Sequence, residues 1–252
     1  MSSNISRELI NSLSGSGRRL VAVLKTCEAY LDESGTHKVS KVLCVAGYVG
    51  NRREWYKFEK EWQKVLDDAE ISCFHAHDPK CASIKLPLAS AIEKRNLNGV
   101  ICGVNPDIFN TYTNMQFKSV MGNAYAACTF VCALEICKQA KEMGIKSVSF
   151  FIEDGQPNIK FVERVLKSLI YYPPVNITGV MVGKKNEFIP LQTADFLSHV
   201  YSTHERDWLE YLMRSKKVKQ ALIQPNNLNE VSLEIKDIFR QRRNLIRRMK
   251  RS

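Results

Sequence analysis

The sequence has 252 residues, of which 44% are hydrophobic and 25% charged, with a formal net charge of +11. This composition is that of an ordinary globular protein, not of a disordered one. No run approaches the roughly 18 apolar residues of a membrane span, and residues 1–19 lack the apolar core of a secretory signal, so the sequence predicts a cytoplasmic protein.

The first elements predict a β-hairpin followed by a helix. Residues 21–31 and 39–49 are apolar and rich in β-forming residues, and the polar stretch Asp32-Glu33-Ser34-Gly35 follows the first of them. Two such strands joined by a short polar turn predict an antiparallel pair. Apolar residues then recur at helical spacing, which predicts an amphipathic helix over residues 51–69.

Strands and helices alternate along the rest of the chain. The predicted strands cover residues 71–76, 99–104, 147–152 and 177–182, and the predicted helices cover residues 82–98, 117–143, 161–172 and 190–204. This order predicts an α/β domain over residues 20–211, a mixed sheet flanked by helices, after a flexible segment at residues 1–19.

The eight cysteines do not suggest a disulfide framework, which is typical of short secreted domains. Six of them lie inside apolar runs, where a free thiol behaves as a small hydrophobic group. We expect reduced core cysteines at Cys27, Cys44, Cys102, Cys128, Cys132 and Cys137.

Most of the net positive charge lies in residues 212–252, which contain twelve Lys and Arg against three Asp and Glu. Apolar residues there recur at helical spacing, so the segment is predicted to be a basic amphipathic helical extension. Such a helix binds nucleic acid, an anionic membrane surface or an acidic partner, or docks through its apolar stripe, for example in a homo-oligomer. We expect nucleic acid, with phosphate contacts from Arg240, Arg243 and Arg247.

Acidic residues occupy three unusual places. Asp32 and Glu33 follow one strand, Glu153 and Asp154 follow another, and Asp195 lies inside an apolar helix. A buried carboxylate is costly unless it is paired or bound to a cation, and ligands in α/β sheets tend to lie beyond strand carboxyl ends. A carboxylate cluster of this kind suits Mg²⁺ or Mn²⁺. The alternative is that each acid merely ends a strand or caps a turn.

Four blocks of the sequence carry a family resemblance: residues 30–35 (Tyr-Leu-Asp-Glu-Ser-Gly), 74–78 (Phe-His-Ala-His-Asp), 151–155 (Phe-Ile-Glu-Asp-Gly) and 190–195 (Pro-Leu-Gln-Thr-Ala-Asp). Together they resemble the signatures of domain-of-unknown-function family 3800, over about Tyr30 to His204. The resemblance implies an RNase H-like fold with one carboxylate on the first strand and another on the last core helix. The family has no settled activity.

Carried over to this sequence, the resemblance implies Asp32 and Asp195 as the main metal ligands, with Glu153 or Asp154 as a third. Strand alternation turns these last two to opposite faces, so one of them points inward. The resemblance favours Glu153. Glu33 is a ligand or a supporting acid. The candidate substrate contacts are Ser34, His75, Lys185 and Gln192, of which His75 and Lys185 are placed to meet a phosphate.

His199 departs from the family pattern. It continues the polar stripe of Gln192 and Asp195 at helical spacing, and either assists proton transfer or packs.

These residues together predict a metal-dependent nuclease. Two cations held by carboxylates can activate a water and steady the leaving oxygen of a phosphodiester, so the protein needs no nucleophile of its own. The alternative is a non-catalytic nucleic-acid-binding or adaptor protein with the same fold. Zinc at Cys73, His75, His77 and Cys81 is a weaker alternative, because this spacing matches no common zinc module.

Overall fold

The computed structural model describes residues 26–35, 41–113, 118, 121–155, 159–171, 175–214 and 218–224, and six single positions, Leu233, Asp237, Arg240, Gln241, Asn244 and Arg247. The predicted N-terminal segment at residues 1–19 lies outside them.

The strands form one mixed six-stranded sheet. They are β1 (Thr26–Ser34), β2 (Leu43–Asn51), β3 (Asn98–Val104), β4 (Ser147–Glu153), β5 (Asn176–Gly183) and β6 (Val218–Ile223). Their order across the sheet is β5-β4-β1-β2-β3-β6. β1, β2 and β3 are antiparallel neighbours, whereas β4 pairs with β1, β5 with β4 and β6 with β3 in parallel.

The helices of the described residues are α1 (Arg52–Asp68), α2 (Lys85–Glu93), α3 (Pro106–Tyr112), α4 (Ala124–Glu142), α5 (Ile159–Ser168), α6 (Leu191–Ser202) and α7 (Arg206–Arg214). Short 3₁₀ turns lie at Pro79–Ile84 and Leu169–Tyr171. Asparagine caps fix the starts of two of the long helices: the side chain of Asn51 accepts a hydrogen bond from Glu54 N, and that of Asn123 accepts one from Ala126 N.

Helices cover both faces of the sheet, and each face has its own apolar core. α4 and α5 pack on one face, where Leu31, Phe130 and Phe150 are buried. α1, α2, α6 and α7 pack on the other, where Tyr30 and Trp62 are buried. Successive residues of β1 point to opposite faces. Tyr30 and Asp32 therefore face α6, and Leu31 and Glu33 face α4.

The predicted α/β class, a mixed sheet flanked by helices, is confirmed. All eight cysteines are free thiols, and the six that were expected in the core are buried. In the part of the chain that the structure describes, no helix is both long enough and apolar enough to cross a membrane.

The predicted strand at residues 71–76 is wrong, because this segment is irregular. Two of its backbone N–H groups bond to side chains instead of to a neighbouring strand: Phe74 N donates to Gln192 Oε1 and Ala76 N donates to Asp195 Oδ2. An apolar run can therefore look like a strand while helix side chains satisfy its backbone.

The structure also differs from the predicted division at residue 212. α7 runs on to Arg214 with Leu212 buried, and β6 then joins the sheet beside β3. Lys219 Nζ holds β6 against α4 by an ion pair with Glu135 Oε1 at 2.9 Å. The folded domain thus extends at least to Ile223. The sequence analysis did not predict β6, because the lysines around it made this segment look like part of the basic tail.

Beyond β6 the six single positions are helical and exposed, and Arg240 pairs with Asp237 Oδ1 at 2.7 Å. Arg243 lies outside the described residues. The basic helical extension and its oligomer contact stay predictions.

Candidate active site

Three acidic side chains meet at one edge of the sheet. Asp32 lies near the end of β1 and Glu153 ends β4, and the parallel pairing of Leu31 with Ile152 places these two acids side by side. Asp195 comes from the second turn of α6, which crosses β1 and β2 on the same face. The structure therefore brings together Asp32, Glu153 and Asp195, which the sequence placed in three separate segments.

The three carboxylates converge on the ammonium group of Lys185, in the loop after β5. Lys185 Nζ lies 3.0 Å from Asp32 Oδ2, 2.8 Å from Glu153 Oε2 and 3.0 Å from Asp195 Oδ1. All three oxygens lie within 3.0 Å of the same nitrogen atom. No two of these oxygens can therefore be separated by more than twice that distance. Lys185 is only 8% exposed. The sequence predicted a phosphate contact here, and the structure places an internal counter-ion.

Burial and charge shift the protonation of this cluster in opposite directions. Burial, followed by the neighbouring Glu33, raises the pKa of Asp32 well above its ordinary value, and Lys185 offsets this only in part. Burial lowers the pKa of Lys185, but the attraction of Asp32, Asp195 and Glu153 outweighs it and raises that pKa overall. The lysine is therefore charged, and one positive charge serves three carboxyl groups.

Gln192 holds the surroundings of the cluster in place and is not free to bind a substrate. Its Oε1 accepts hydrogen bonds from Trp62 Nε1 at 2.8 Å and Phe74 N at 3.0 Å. Its Nε2 donates to Lys185 O at 3.0 Å. The side chain is buried and both of its polar atoms bond to protein, so Gln192 has a structural role here, and its predicted contact with a substrate stays a prediction.

Asp195 is oriented in the same way. Ala76 N donates to its Oδ2 at 2.8 Å, which leaves Oδ1 to face Lys185. The polar stripe predicted on α6 thus organises both the loop of Ala76 and the cluster itself.

The two residues that follow Asp32, Glu33 and Ser34, have different surroundings. Glu33 is buried on the α4 face, and neither its Oε2 nor the hydroxyl of Tyr125 has a hydrogen bond of standard geometry. Burial, with a smaller opposing effect of the Tyr125 phenol, raises the pKa of Glu33 to about 7. Ser34 Oγ lies 2.7 Å from Ser202 Oγ and so ties the end of β1 to α6 instead of standing free.

Asp154 turns away from the cluster, as strand alternation predicts for the neighbour of Glu153. It is exposed, and its Oδ1 accepts a hydrogen bond from Gly155 N at 2.7 Å. Asp154 thus caps a turn and is not among the acids that the structure brings together, and its predicted catalytic role stays a prediction.

The histidines lie at the margins of the site. His75 is partly buried, with its ring centroid 5.9 Å from that of His77. His199 Nε2 lies 3.1 Å from Glu205 Oε1, and Glu205 Oε2 accepts a hydrogen bond from Lys85 Nζ at 3.0 Å. Burial lowers the pKa of His199. The sequence prediction missed this pairing of Lys85, Glu205 and His199, because Glu205 lies in a polar stretch, Lys85 is a single charge in an apolar one, and nothing in the sequence connects the two.

Within the described residues, no group of three or more His, Cys, Asp or Glu side chains is arranged to hold a metal ion. This includes Cys73, His75, His77 and Cys81. In the carboxylate cluster the point of convergence belongs to Lys185 Nζ, whose contacts of 2.8 and 3.0 Å exceed the ~2.0–2.6 Å of metal–oxygen bonds. The donor set nevertheless fits a hard cation, since it consists of carboxylate oxygens, and among the described residues the buried Asp32 Oδ2 has no hydrogen bond beyond its ion pair with Lys185.

No family model matches the sequence, and the search of curated proteins found no match. The solved structures that match the chain include ribonucleases H, at low identity and with TM-scores below 0.5. Ribonuclease HII of Archaeoglobus fulgidus, solved in complex with PCNA, is 18% identical over 73% of this chain and 76% of its own, with a TM-score of 0.41. Ribonuclease H2 of Pyrococcus horikoshii OT3 is 14% identical over 85% of this chain and 99% of its own, with a TM-score of 0.45.

Bst-RNase HIII, solved in complex with Mn²⁺, is 12% identical, and the match covers 80% of this chain and 64% of that one, with a TM-score of 0.45. Similarity of this degree says nothing about a reaction. The α/β class rests on the chain's own sheet: the antiparallel strands β3, β2 and β1 continue into the parallel strands β4 and β5, with helices on both faces.

Proposed function

We propose that this chain is a nuclease that depends on Mg²⁺ or Mn²⁺, and that it belongs to domain-of-unknown-function family 3800. The convergence of Asp32, Glu153 and Asp195 on one point carries the proposal. Three elements distant in sequence supply these carboxylates, and such a gathering of like charges is costly unless a cation balances it.

The residues of the chain divide the work. Asp32, Glu153 and Asp195 hold the metal through carboxylate oxygens, which are the ligands that hard cations prefer. The Ala76 backbone orients Asp195, and Ser202 fixes the end of β1 through Ser34. When bound, divalent cations supply an activated water and stabilise the leaving oxygen of a phosphodiester.

The proposed substrate is DNA or RNA. The chain carries a net charge of +11, and most of this charge lies in residues 212–252. Of the three arginines proposed to meet phosphates, Arg240 and Arg247 are exposed, and Arg243 lies outside the described residues. Phosphate binding by such a segment attracts nucleic acid without regard to base sequence.

A non-catalytic nucleic-acid-binding or adaptor protein is the second candidate. The position of Lys185 favours it, because an ammonium group already balances part of the charge that a metal would balance. In a protein with this fold that no longer binds a metal, a lysine would neutralise the carboxylates as Lys185 does here.

Asp32→Asn and Asp195→Asn distinguish the two candidates, with Asp154→Asn as the matched control. All three remove one carboxylate charge, but Asp154 is exposed and outside the cluster. Cleavage of single-stranded and duplex DNA and RNA is measured with Mn²⁺. Loss of a residue that only supports a metal ligand typically reduces activity by ~10–100-fold. We expect Asp32→Asn and Asp195→Asn to reduce the cleavage rate by more than this, and Asp154→Asn to keep the wild-type rate.

Equal cleavage by the wild type and Asp32→Asn would overturn the catalytic assignment. Binding of nucleic acid by a wild type that cleaves none of the four substrates would favour the adaptor.

Deletion of residues 240–252 tests the binding role of the tail. Binding through phosphates makes affinity fall as a power of the salt concentration, with an exponent of about 0.7–0.9 per contact. We expect the deletion to weaken oligonucleotide binding and to flatten its salt dependence, while Mn²⁺ binding stays unchanged. If neither affinity nor slope changes, the tail does not bind nucleic acid, and an oligomer contact through its apolar stripe becomes the next hypothesis.

A further inference from the structure

We propose that Lys185 is a displaceable counter-ion: its ammonium group competes with the divalent cation for Asp32, Glu153 and Asp195, and leaves the cluster when the metal binds. This inference rests on the proposed metal-binding function of the same carboxylates. It assigns to the lysine the control of metal occupancy instead of a phosphate contact.

The geometry makes the two cations mutually exclusive. Lys185 Nζ touches one oxygen of each carboxylate, at 2.8 to 3.0 Å. A metal bound by the same three oxygens would lie inside the same triangle, at the ~2.0–2.6 Å of metal–oxygen bonds. One site of this size does not hold both cations.

The charges favour exchange. Lys185 brings one positive charge to three carboxylates, and Glu33 adds a fourth acidic group on the opposite face of β1. In the described part of the chain, the buried Oδ2 atom of Asp32 has no hydrogen bond beyond its ion pair with Lys185 Nζ at 3.0 Å. A divalent cation supplies twice the charge at a shorter distance, so it satisfies the cluster more completely than the lysine does.

The loop restricts the exchange to the side chain of Lys185. Its carbonyl oxygen accepts a hydrogen bond from Gln192 Nε2, and the preceding residue is held on both sides, since Lys184 N donates to Glu187 Oε2 and Lys184 O accepts from Phe188 N. The main chain is thereby fixed, whereas the four-carbon stem of a lysine turns easily.

The cluster opens to solvent on the side of Glu153. The side chain of Asp32 is 1% exposed, whereas that of Glu153 is 17% exposed. An ammonium group that leaves past Glu153 regains water, which lowers the cost of its displacement.

Lys185→Met tests the proposal, with Lys184→Met as the matched control. Both substitutions remove one lysine charge from the same loop, but Lys184 is exposed and Lys185 lies in the cluster. Mn²⁺ alone is titrated into each full-length protein by calorimetry, without nucleic acid. Removal of one unit charge at contact distance should tighten Mn²⁺ binding by about tenfold or more in Lys185→Met, and Lys184→Met should match the wild type.

A second measurement tests the proposal even if Lys185→Met folds poorly. The unfolding midpoint is recorded with Mn²⁺ and with a chelator. We expect the metal-free variant to be less stable than the wild type, and Mn²⁺ to raise its midpoint by more than it raises that of the wild type. A variant that is unfolded in chelator should refold when Mn²⁺ is added.

Equal or weaker Mn²⁺ binding by Lys185→Met, or failure of Mn²⁺ to restore its fold, would overturn the exchange. Because no nucleic acid is present, this result is separate from the nuclease test. Tighter binding by Lys185→Met in a protein that cleaves nothing would keep the exchange and reject the nuclease, whereas unchanged binding in an active nuclease would do the reverse.

Discussion

α4 and α6 cover opposite faces of one sheet, and each buries a glutamine with a different result. Gln139 of α4 has an Nε2 atom without a hydrogen-bond partner among the residues that the structure describes. Gln192 of α6 bonds to Trp62, Phe74 and the Lys185 carbonyl, which belong to three other segments. The α4 face tolerates an unsatisfied amide, whereas the α6 face uses its amide to fix the parts of a site.

The difference indicates where the fold is constrained by function. An unpaired buried polar group lowers the free energy of unfolding by about 1–3 kcal/mol. At Gln139, the apolar packing on the α4 face offsets this loss. On the α6 face the bonds of Gln192 and Asp195 run between elements and fix the loops of Phe74 and Lys185 beside the carboxylates. Buried polar groups that join separate elements therefore mark the candidate site better than burial alone.

The largest effect on stability is expected from Gln192→Leu, which keeps the volume and removes the amide. The indole N–H of Trp62, the N–H of Phe74 and the carbonyl of Lys185 each lose a partner. Several unpaired buried groups should reduce the free energy of unfolding by about 3–5 kcal/mol. Urea denaturation measures this loss, and a loss as small as that of an exposed substitution would contradict the structural role of the amide.

A smaller, pH-dependent effect is expected from Glu33→Gln, on the α4 face of β1. Burial is the main cause that raises the pKa of Glu33 from 4.5 to about 7. A carboxyl group whose pKa is higher in the folded than in the unfolded chain loses stability as the pH rises between these two values. The neutral glutamine avoids this loss, so the variant should be more stable than the wild type by up to about 3 kcal/mol at pH ~8, with no charge-related gain at pH ~4.

Glu187→Gln, at an exposed position, is the control for this pH dependence. Metal-free protein is used for both variants, with denaturant titrations at several pH values. A gain that is the same at all pH values would show that packing, and not ionisation, separates Glu33→Gln from the wild type.

The smallest effect is expected from Gln139→Leu, the counterpart of Gln192→Leu on α4. Replacing an unpaired buried amide by an apolar side chain of similar size should raise the free energy of unfolding by about 1 kcal/mol. Mn²⁺ binding should not change. A loss of stability as large as that of Gln192→Leu would erase the contrast between the two helices.

The sequence was sufficient to predict that Asp32, Glu153 and Asp195 lie together. Asp32 lies near the end of an apolar strand, Glu153 ends another, Asp195 interrupts an apolar helix, and strand alternation turns Glu153 and Asp154 to opposite faces. Such positions are informative because a carboxylate at a buried position needs a partner.

The counter-ion of these carboxylates, Lys185, could not be predicted from the sequence. Lys185 lies in the polar stretch Lys184-Lys185-Asn186, and nothing local distinguishes its buried side chain from the exposed one of Lys184. Only the packing of β5 and α6 against β1 decides which lysine enters the cluster. β6 was missed for a related reason, since the lysines around it resemble those of a solvated tail.

The most direct test of the account is a crystal structure of the full chain grown with excess Mn²⁺, with the anomalous signal recorded. The account predicts a manganese peak within ~2–2.5 Å of carboxylate oxygens of Asp32, Glu153 and Asp195, with Lys185 Nζ withdrawn from all three. A map in which Lys185 Nζ keeps its contacts with the three carboxylates and no manganese peak lies among them would contradict it.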